Sequence, residues 1–293
     1  MTGGTAEEPL LETVVSNALR LMNRLNPSTH GRNLAMDIAR HLGALPQPGV
    51  YGIGHDARLA IDPREYIERG AYFFAFEVLM TRMLLGRLNP GSVFVDIGAN
   101  VGYYSVLARR RVQSSGRVIA FEPNPAVLSV LRRNLELNDM RDVAVFDCAL
   151  SDKRGSAILY SSPEASHGEA SMCDQGWNRA SSQPIRTERL DDVFPRDVQR
   201  IDVLKIDVEG AEALAFRGGQ ETIRRFRPWI FSEVNPAAAR AFGFEPLEAA
   251  GIILDLHPGY SLLRIDTHSA RPVTLPSLIQ SRPVQPFNLL FAP

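Results

Sequence analysis

The feature that most constrains the fold is a regular alternation of short apolar strands and helical segments that begins near Ser92. SVFVDIG, GRVIAFEP and PWIFSEV are apolar and β-prone, and segments with helical periodicity follow the first two of them. This alternation predicts an α/β fold, in which a mostly parallel sheet is covered by helices on both faces. Further strands are expected at VAVFDCAL, VLKID, IILDL, SLLRI and FNLLF.

Acidic residues close several of these strands at a nearly constant spacing. Asp96 and Glu122 are 26 residues apart, and Glu122 and Asp147 are 25 residues apart. Each interval accommodates one strand and one helix. The interval from Asp147 to Asp207 is 60 residues, which predicts an insertion at about 151–190. We interpret this insertion as a hairpin that carries a Ser- and Gly-rich lid, because a long irregular segment in a compact domain is usually functional or disordered.

The first 90 residues carry different patterns. Apolar residues recur at spacings of three and four over 7–25, which predicts an amphipathic helix. The Gly-rich stretch within 46–63 indicates a hairpin, and a second helix is expected at about 71–88. We therefore expect residues 1–90 to form a cap of helices and a hairpin, and residues 91–293 to form the ligand-binding domain.

Composition bounds the classes of function. The formal net charge of −1 provides no overall positive field, so nucleic-acid binding is not expected. No apolar run approaches the roughly 18 residues of a membrane span, and the acidic start does not resemble a signal peptide, so a cytoplasmic location is expected. Cys148 and Cys173 are too few and too far apart for a disulfide framework or a CxxC site. The oligomeric state stays open.

The first strand of the alternation leads into a glycine-rich turn and then a helix. Small residues allow a backbone to approach a ligand closely, and the N-terminus of a helix attracts anionic groups. A dinucleotide site would show GxGxxG, but Asn100 stands where the second glycine would be. The pattern suits the amino-acid end of S-adenosylmethionine, with Asp96 facing its ammonium group through ordered water. The remaining candidate residues of the turn are Gly98, Ala99, Asn100 and Gly102.

Two further acids extend the predicted cofactor site. Glu122 ends the second strand, where a carboxylate accepts hydrogen bonds from both hydroxyls of a ribose. Without the glycine turn upstream, Glu122 would be interpreted as a solvent-facing acid before Pro123. Asp147 ends the third strand and is the candidate partner of the adenine amino group. Asp147 and the backbone of Cys148 or Ala149 could share this task.

These motifs resemble those of the FkbM-type S-adenosylmethionine-dependent methyltransferases. The resemblance covers about Tyr66 to Phe291, and it is carried by DIGANVGYYSVLA, AFEPNP, ALSDKRGSA, LDDVF, LKIDVEGAEALAFRGG and NLLF. It implies a class I, Rossmann-like methyltransferase sheet with an N-terminal helical extension and with S-adenosyl-L-methionine as the cofactor. It also implies O-methylation of a small-molecule hydroxyl, such as one on a sugar or polyketide moiety of a natural product or glycolipid.

The strand end VLKIDVEG supplies the favoured catalytic residue. An alcohol must lose its proton when it is methylated, and a positioned base contributes about 10²- to 10⁴-fold to such a step. We favour Asp207 as this base; a role in holding the loop or the cofactor is its alternative. Glu233, at the next strand end, and His167, in the predicted lid, are the other candidates. Asp207 and Glu233 also suit Mg²⁺, which prefers oxygen ligands, but Mg²⁺ is the less favoured interpretation.

Two other charged residues of this strand end keep alternative roles. Lys205 either lies along the sheet with its ammonium in solvent or faces the ligand. Glu209 either faces the ligand or caps the helix that begins near Ala211.

Two other classes of function are weighed against methyl transfer. A nucleotide-cofactor oxidoreductase on a related fold would require GxGxxG, which is missing from the turn. A catalytically inactive module could keep the cofactor site without turnover, but Asp96, Gly98, Gly102 and Glu122 are all intact. Both alternatives rank below the small-molecule O-methyltransferase.

Overall fold

The computed structural model describes residues 8–26, 28–161, 170–174 and 181–293. The helices are α1 (Glu8–Leu25), α2 (Thr29–His41), α3 (Tyr66–Tyr72), α4 (Val78–Leu85), α5 (Tyr103–Val112), α6 (Pro125–Glu136), α7 (Leu190–Val193), α8 (Glu212–Gly218), α9 (Gln220–Phe226), α10 (Pro236–Ala241), α11 (Glu248–Leu256) and α12 (Leu275–Ser281). The strands are β1 (Gly49–Gly54), β2 (Ala57–Ile61), β3 (Val93–Ile97), β4 (Arg117–Phe121), β5 (Ala144–Phe146), β6 (Ala149–Leu150), β7 (Gly155–Ser161), β8 (Ser181–Glu188), β9 (Val203–Ile206), β10 (Trp229–Val234), β11 (Ser261–Ile265), β12 (Ala270–Val273) and β13 (Phe287–Ala292). Within these ranges, no helix is both long and apolar enough to cross a membrane.

The main sheet has the strand order β12-β11-β13-β10-β9-β3-β4-β5. The strands from β10 to β5 in this order pair in parallel, whereas β13 is antiparallel to both β10 and β11. The carboxyl ends of β3, β4, β9 and β10 therefore meet at one edge, which is where ligands bind in open α/β sheets. The sheet confirms the α/β fold class expected from the sequence.

The main sheet is covered by helices on both faces. Phe94 of β3 packs in one hydrophobic cluster with Leu107 of α5. The next residue, Val95, packs in a second cluster with Phe216 of α8 and Ile253 of α11. Successive strand residues point to opposite faces, so the apolar run of β3 is explained by burial on both sides.

The N-terminal segment packs onto the first of these two faces. Leu59 of β2 is fully buried in the same cluster as Phe94. Two asparagines, Asn134 in α6 and Asn138 just after it, fix the β1–β2 hairpin. The Oδ1 of Asn134 accepts from the backbone N–H of Ala60 at 2.8 Å, and the Oδ1 of Asn138 accepts from that of Arg58 at 2.9 Å. This hairpin was expected, whereas α2 was not.

Three local predictions are wrong. The helix expected at about 71–88 is divided into α3 and α4, and Phe74 and Glu77 between them have φ angles of 54° and 38°. The IILDL segment, expected as a strand, lies in α11, since periodicity alone does not separate short buried strands from buried helices. The strand expected at VAVFDCAL is interrupted: β5 belongs to the main sheet, and β6 belongs to a three-stranded sheet with β8 and β7.

The three-stranded sheet of β6, β8 and β7 lies mostly in the insertion expected at about 151–190. Strands β7 and β8 pair antiparallel along their whole length, from Gly155 opposite Thr187 to Ser161 opposite Ser181. His167, the histidine candidate for the base, lies outside the described residues.

Candidate active site

A cavity of about 520 Å³ lies at the carboxyl ends of the central parallel strands. This volume is within the usual range for small-molecule sites. The predicted site residues in its wall are Gly98, Ala99, Asn100, Glu122, Asp207 and Glu233. Glu122 and Glu233 are 111 positions apart in sequence. They meet at this cavity because parallel strands place their carboxyl ends at the same edge of the sheet.

The glycine turn after β3 is shaped by close backbone contacts. Gly98 has a φ of 74°, and a Cβ built there would lie 1.9 Å from the backbone oxygen of Asp207. Gly102 has a φ of 87°, and its Cβ would lie 2.4 Å from the side chain of Leu131. Gly98 therefore permits the approach of two strand ends, whereas Gly102 permits the packing of α5 against α6 and does not line the cavity.

Glu122 joins the ends of β3 and β4 at the cavity wall. Its two carboxylate oxygens accept hydrogen bonds from the backbone N–H groups of Asn100, at 2.9 Å, and Asn124, at 2.8 Å. Burial raises the pKa of Glu122 to about 7. Each carboxylate oxygen retains acceptor capacity, and hydroxyl donors from a ligand would favour the charged form. The residue thus fits the ribose role that the sequence indicates.

Lys205 and Asp96 form a buried pair beneath the glycine turn. The Lys205 ammonium donates to the backbone oxygen of Gly98 at 2.9 Å and lies 3.7 Å from Oδ1 of Asp96 and 3.5 Å from Oδ2 of Asp207. Asp96 is fully buried, and its Oδ2 accepts from the Ser105 hydroxyl at 2.6 Å. It is not part of the cavity wall.

The burial of Lys205 excludes the interpretation in which its ammonium reaches solvent. Burial by itself would lower the pKa of Lys205, but the charges of Asp207 and Asp96 outweigh it, so that the net pKa lies above the usual value. Lys205 is therefore a buried cation that links the glycine turn to the end of β9.

Three carboxylates cluster at the ends of β9 and β10. Asp207, Glu209 and Glu233 each offer an oxygen within 4.8 Å of the others, which is a spacing that a metal ion could bridge. Among the described residues, one buried oxygen of Glu233 has no hydrogen-bond partner. Burial, followed by the charge of Asp207, raises the pKa of Glu233 well above its usual value. The surroundings of Glu233 therefore favour its neutral form over its charged form.

Glu212 supports the loop after β9. Its Oε1 accepts from the backbone N–H groups of Val208, at 3.0 Å, and Gly210, at 3.4 Å. Glu209 instead accepts from the side-chain amide of Asn235 at 3.4 Å. The N-cap residue of α8 is Ala211, whose side chain cannot cap, and the capping role considered for Glu209 stays a prediction.

Glu77 is a cavity residue that sequence reasoning missed. It comes from the segment between α3 and α4, and its carboxylate accepts from the Tyr104 hydroxyl at 2.7 Å and the Asn288 amide at 3.0 Å. Burial, followed by the charge of Asp207, raises its pKa. The sequence did contain a signal for Glu77, because this residue is a lone acid in the apolar run FAFEVLM. The interpretation of that run as one continuous helix concealed it.

The adenine side of the predicted site differs from expectation. Asp147 is exposed, accepts from the Arg186 guanidinium at 2.6 Å and is absent from the cavity wall. Cys148 and Ala149 do line the wall. Of the groups expected to share the adenine contact, the backbone of these two residues is therefore better placed than the Asp147 carboxylate.

The sheet order and the cavity at the ends of its parallel strands are those of a Rossmann-like ligand-binding fold. Residues 96–260, more than half of the chain, match the family described as the methyltransferase FkbM domain. The chain belongs to the FkbM methyltransferase family.

Several relatives carry more specific names. The chain is 30% identical over 167 residues to "Methyltransferase sdnD" of Sordaria araneosa, a match that covers 47% of this chain and 64% of that protein. It is 32% identical over 193 residues to "2-O-methyltransferase NoeI" of Sinorhizobium fredii, covering 59% and 74%. It is 28% identical over 183 residues to "31-O-demethyl-FK506 methyltransferase FkbM" of Streptomyces tacrolimicus, covering 52% and 69%. The chain thus spans less than two thirds of the length of the first of these relatives.

Proposed function

We propose that this protein transfers the methyl group of S-adenosyl-L-methionine to a hydroxyl oxygen of a small molecule, such as one on a sugar or polyketide moiety of a natural product or glycolipid. The observation that carries this proposal is the meeting of Glu122, the glycine turn and Asp207 in one cavity. The names of two relatives, a 2-O-methyltransferase and a 31-O-demethyl-FK506 methyltransferase, support oxygen as the methylated atom. The absence of a net positive charge supports a small molecule over a nucleic acid.

The donor set of the cavity fits S-adenosylmethionine. Glu122 would hold the ribose hydroxyls, the turn from Gly98 to Asn100 would form the wall beside the amino-acid end, and the backbone of Cys148 and Ala149 would face the adenine. When bound, this cofactor supplies an electrophilic methyl group. The main task of the protein is then to hold the acceptor oxygen in line with that group.

Asp207 is the best placed base. Its side chain is 36% exposed at the cavity, so it can reach an acceptor, and the Lys205 ammonium lies 3.5 Å away to balance its charge. Burial raises the pKa of Glu233, and the neutral form that this favours can donate a hydrogen bond to an acceptor oxygen. We therefore assign proton removal to Asp207 and acceptor positioning to Glu233. Mg²⁺ stays the less favoured use of these two carboxylates.

The test is methyl transfer from isotopically labelled S-adenosylmethionine to a panel of glycosides and polyketides. We expect a mass gain of one methyl group on at least one acceptor, located on oxygen by fragmentation. Transfer to nitrogen or carbon would contradict the O-methyltransferase assignment. Cofactor binding with no transfer to any panel member would favour the inactive binding module.

A further inference from the structure

A second concave surface lies beside the active-site cavity. It has a volume of about 590 Å³ and shares Phe76, Val78 and Tyr103 with the wall of the active-site cavity. We call it the arginine groove, because it is lined by four arginines, Arg32, Arg82, Arg110 and Arg111, and by a single carboxylate, Asp56, with His55 beside them. Four guanidinium groups thus face one carboxylate.

No ion pair among the described residues neutralises the positive charge of the arginine groove. Within the part of the chain that the structure describes, Arg82 and Arg110 are exposed and neither lies within ion-pair distance of a carboxylate. Arg32 and Arg111 donate to the backbone oxygens of Phe74 and Leu88, both at 2.9 Å, and these contacts orient the side chains without removing charge.

The electrostatics of Arg32 reflect this excess of charge. Burial, followed by the like charge of Arg82, lowers the pKa of Arg32. Arg32 and Arg82 repel each other, so an anion bound between or beside them would stabilise both charged side chains. Concave surfaces lined by one sign of charge also concentrate ligands of the opposite sign.

We propose that the arginine groove binds the phosphate groups of a small organic ligand, with Arg82 and Arg110 as its principal contacts. The planar guanidinium group matches phosphate oxygens with paired hydrogen bonds. The groove is large enough for more than a single ion. Because it shares a wall with the active-site cavity, the ligand class that fits is a phosphate-bearing acceptor. This last step rests on the proposed function, whereas phosphate binding itself does not.

The experiment is calorimetric titration of the full chain with inorganic pyrophosphate at low salt. Wild-type protein should bind, and Arg82→Gln/Arg110→Gln should bind more weakly by up to about fivefold for each arginine removed, since a solvent-exposed charge pair contributes up to about 1 kcal/mol. The matched control is Arg132→Gln/Arg133→Gln, which removes two exposed arginines of α6 outside both concave surfaces. The control should keep wild-type affinity.

Two results would overturn the proposal: no binding by the wild type, or equal weakening in the two double variants. Titration of the same proteins with S-adenosylmethionine separates this proposal from the proposed function, because neither pair of arginines lines the active-site cavity. A loss of pyrophosphate binding with unchanged cofactor affinity supports the groove. Adenosine diphosphate and phosphopantetheine, titrated in parallel, distinguish a nucleotide-linked from a carrier-linked acceptor by which of them binds more tightly.

Discussion

Replacing Lys205 with methionine should destabilise the protein by about 3–5 kcal/mol, which is the cost of removing one partner from a buried ion pair. Met has a similar length and leaves the packing of the sheet nearly unchanged, so the lost ammonium dominates the effect. Without it, the fully buried carboxylate of Asp96 keeps only the hydrogen bond from Ser105, and the backbone oxygen of Gly98 loses its donor.

The magnitude comes mainly from the pair with Asp96. Asp207 also lies beside the ammonium, but its side chain is 36% exposed, and a solvent-screened pair contributes only about 0–1 kcal/mol. A loss of about 3–5 kcal/mol is a large part of the about 5–15 kcal/mol by which native proteins are stable. The assay is urea denaturation followed by circular dichroism, which gives the free energy of unfolding.

Two further variants make this prediction specific. Lys205→Met/Asp96→Asn should recover much of the lost stability, because no unpaired charge then stays buried. Lys153→Met, at the other lysine of the chain, is exposed and should change stability by no more than about 0.5 kcal/mol. The reasoning is refuted if Lys205→Met costs no more than Lys153→Met, or if the double variant is as unstable as the sum of the single changes.

The remaining predictions concern the glycine turn, the base, the cofactor site and metal dependence. Gly98→Ala should unfold or strongly destabilise the protein in thermal melts, whereas Gly43→Ala, with a φ of 68° and nothing near its Cβ, should cost only about 1–2 kcal/mol for the backbone conformation; equal effects would contradict the close contact at Gly98. Asp207→Asn should lower kcat by about 10²- to 10⁴-fold with nearly unchanged cofactor affinity in calorimetry; a matching fall in affinity would make Asp207 a cofactor ligand. The pKa of Glu122, about 7 in the folded protein, exceeds its ordinary value of about 4.3. The contribution of Glu122 to the free energy of unfolding is therefore fully present below about pH 4.3 and is lost as the pH rises through about 7. Cofactor affinity should show the opposite trend, rising by up to about tenfold per pH unit towards pH 7 and then levelling, because hydroxyl donors favour the carboxylate; an affinity independent of pH would contradict this. Treatment with EDTA should leave turnover unchanged, and loss of activity restored by Mg²⁺ would show that Asp207, Glu209 and Glu233 bind a metal.

The sequence was sufficient to predict the residues that strand ends bring together. Gly98, Glu122, Asp207 and Glu233 each follow or end an apolar strand, and parallel pairing places such positions at a common edge. This part of the site depends only on local patterns and on the geometry of parallel sheets, so one sequence is enough to find it.

Other parts of the site depend on tertiary contacts that local patterns do not encode. Glu77 reaches the cavity only because the chain between α3 and α4 takes a left-handed conformation, and its partner Asn288 is 211 residues away. Asp147 lies outside the wall and pairs with Arg186, a residue of the inserted hairpin. The position of Lys205 between two carboxylates likewise requires the register of β9 with β3.

The most direct test of the central claim is calorimetric titration of the protein with S-adenosylmethionine, comparing wild type with Glu122→Ala. The control is Glu136→Ala, an exposed glutamate in the last turn of α6. We predict that wild type and control bind equally and that Glu122→Ala, verified as folded by circular dichroism, binds at least about tenfold more weakly, the value of one lost hydrogen bond to a charged group. No binding by the wild type, or equal affinity in all three proteins, would contradict the assignment of the cavity as a cofactor site.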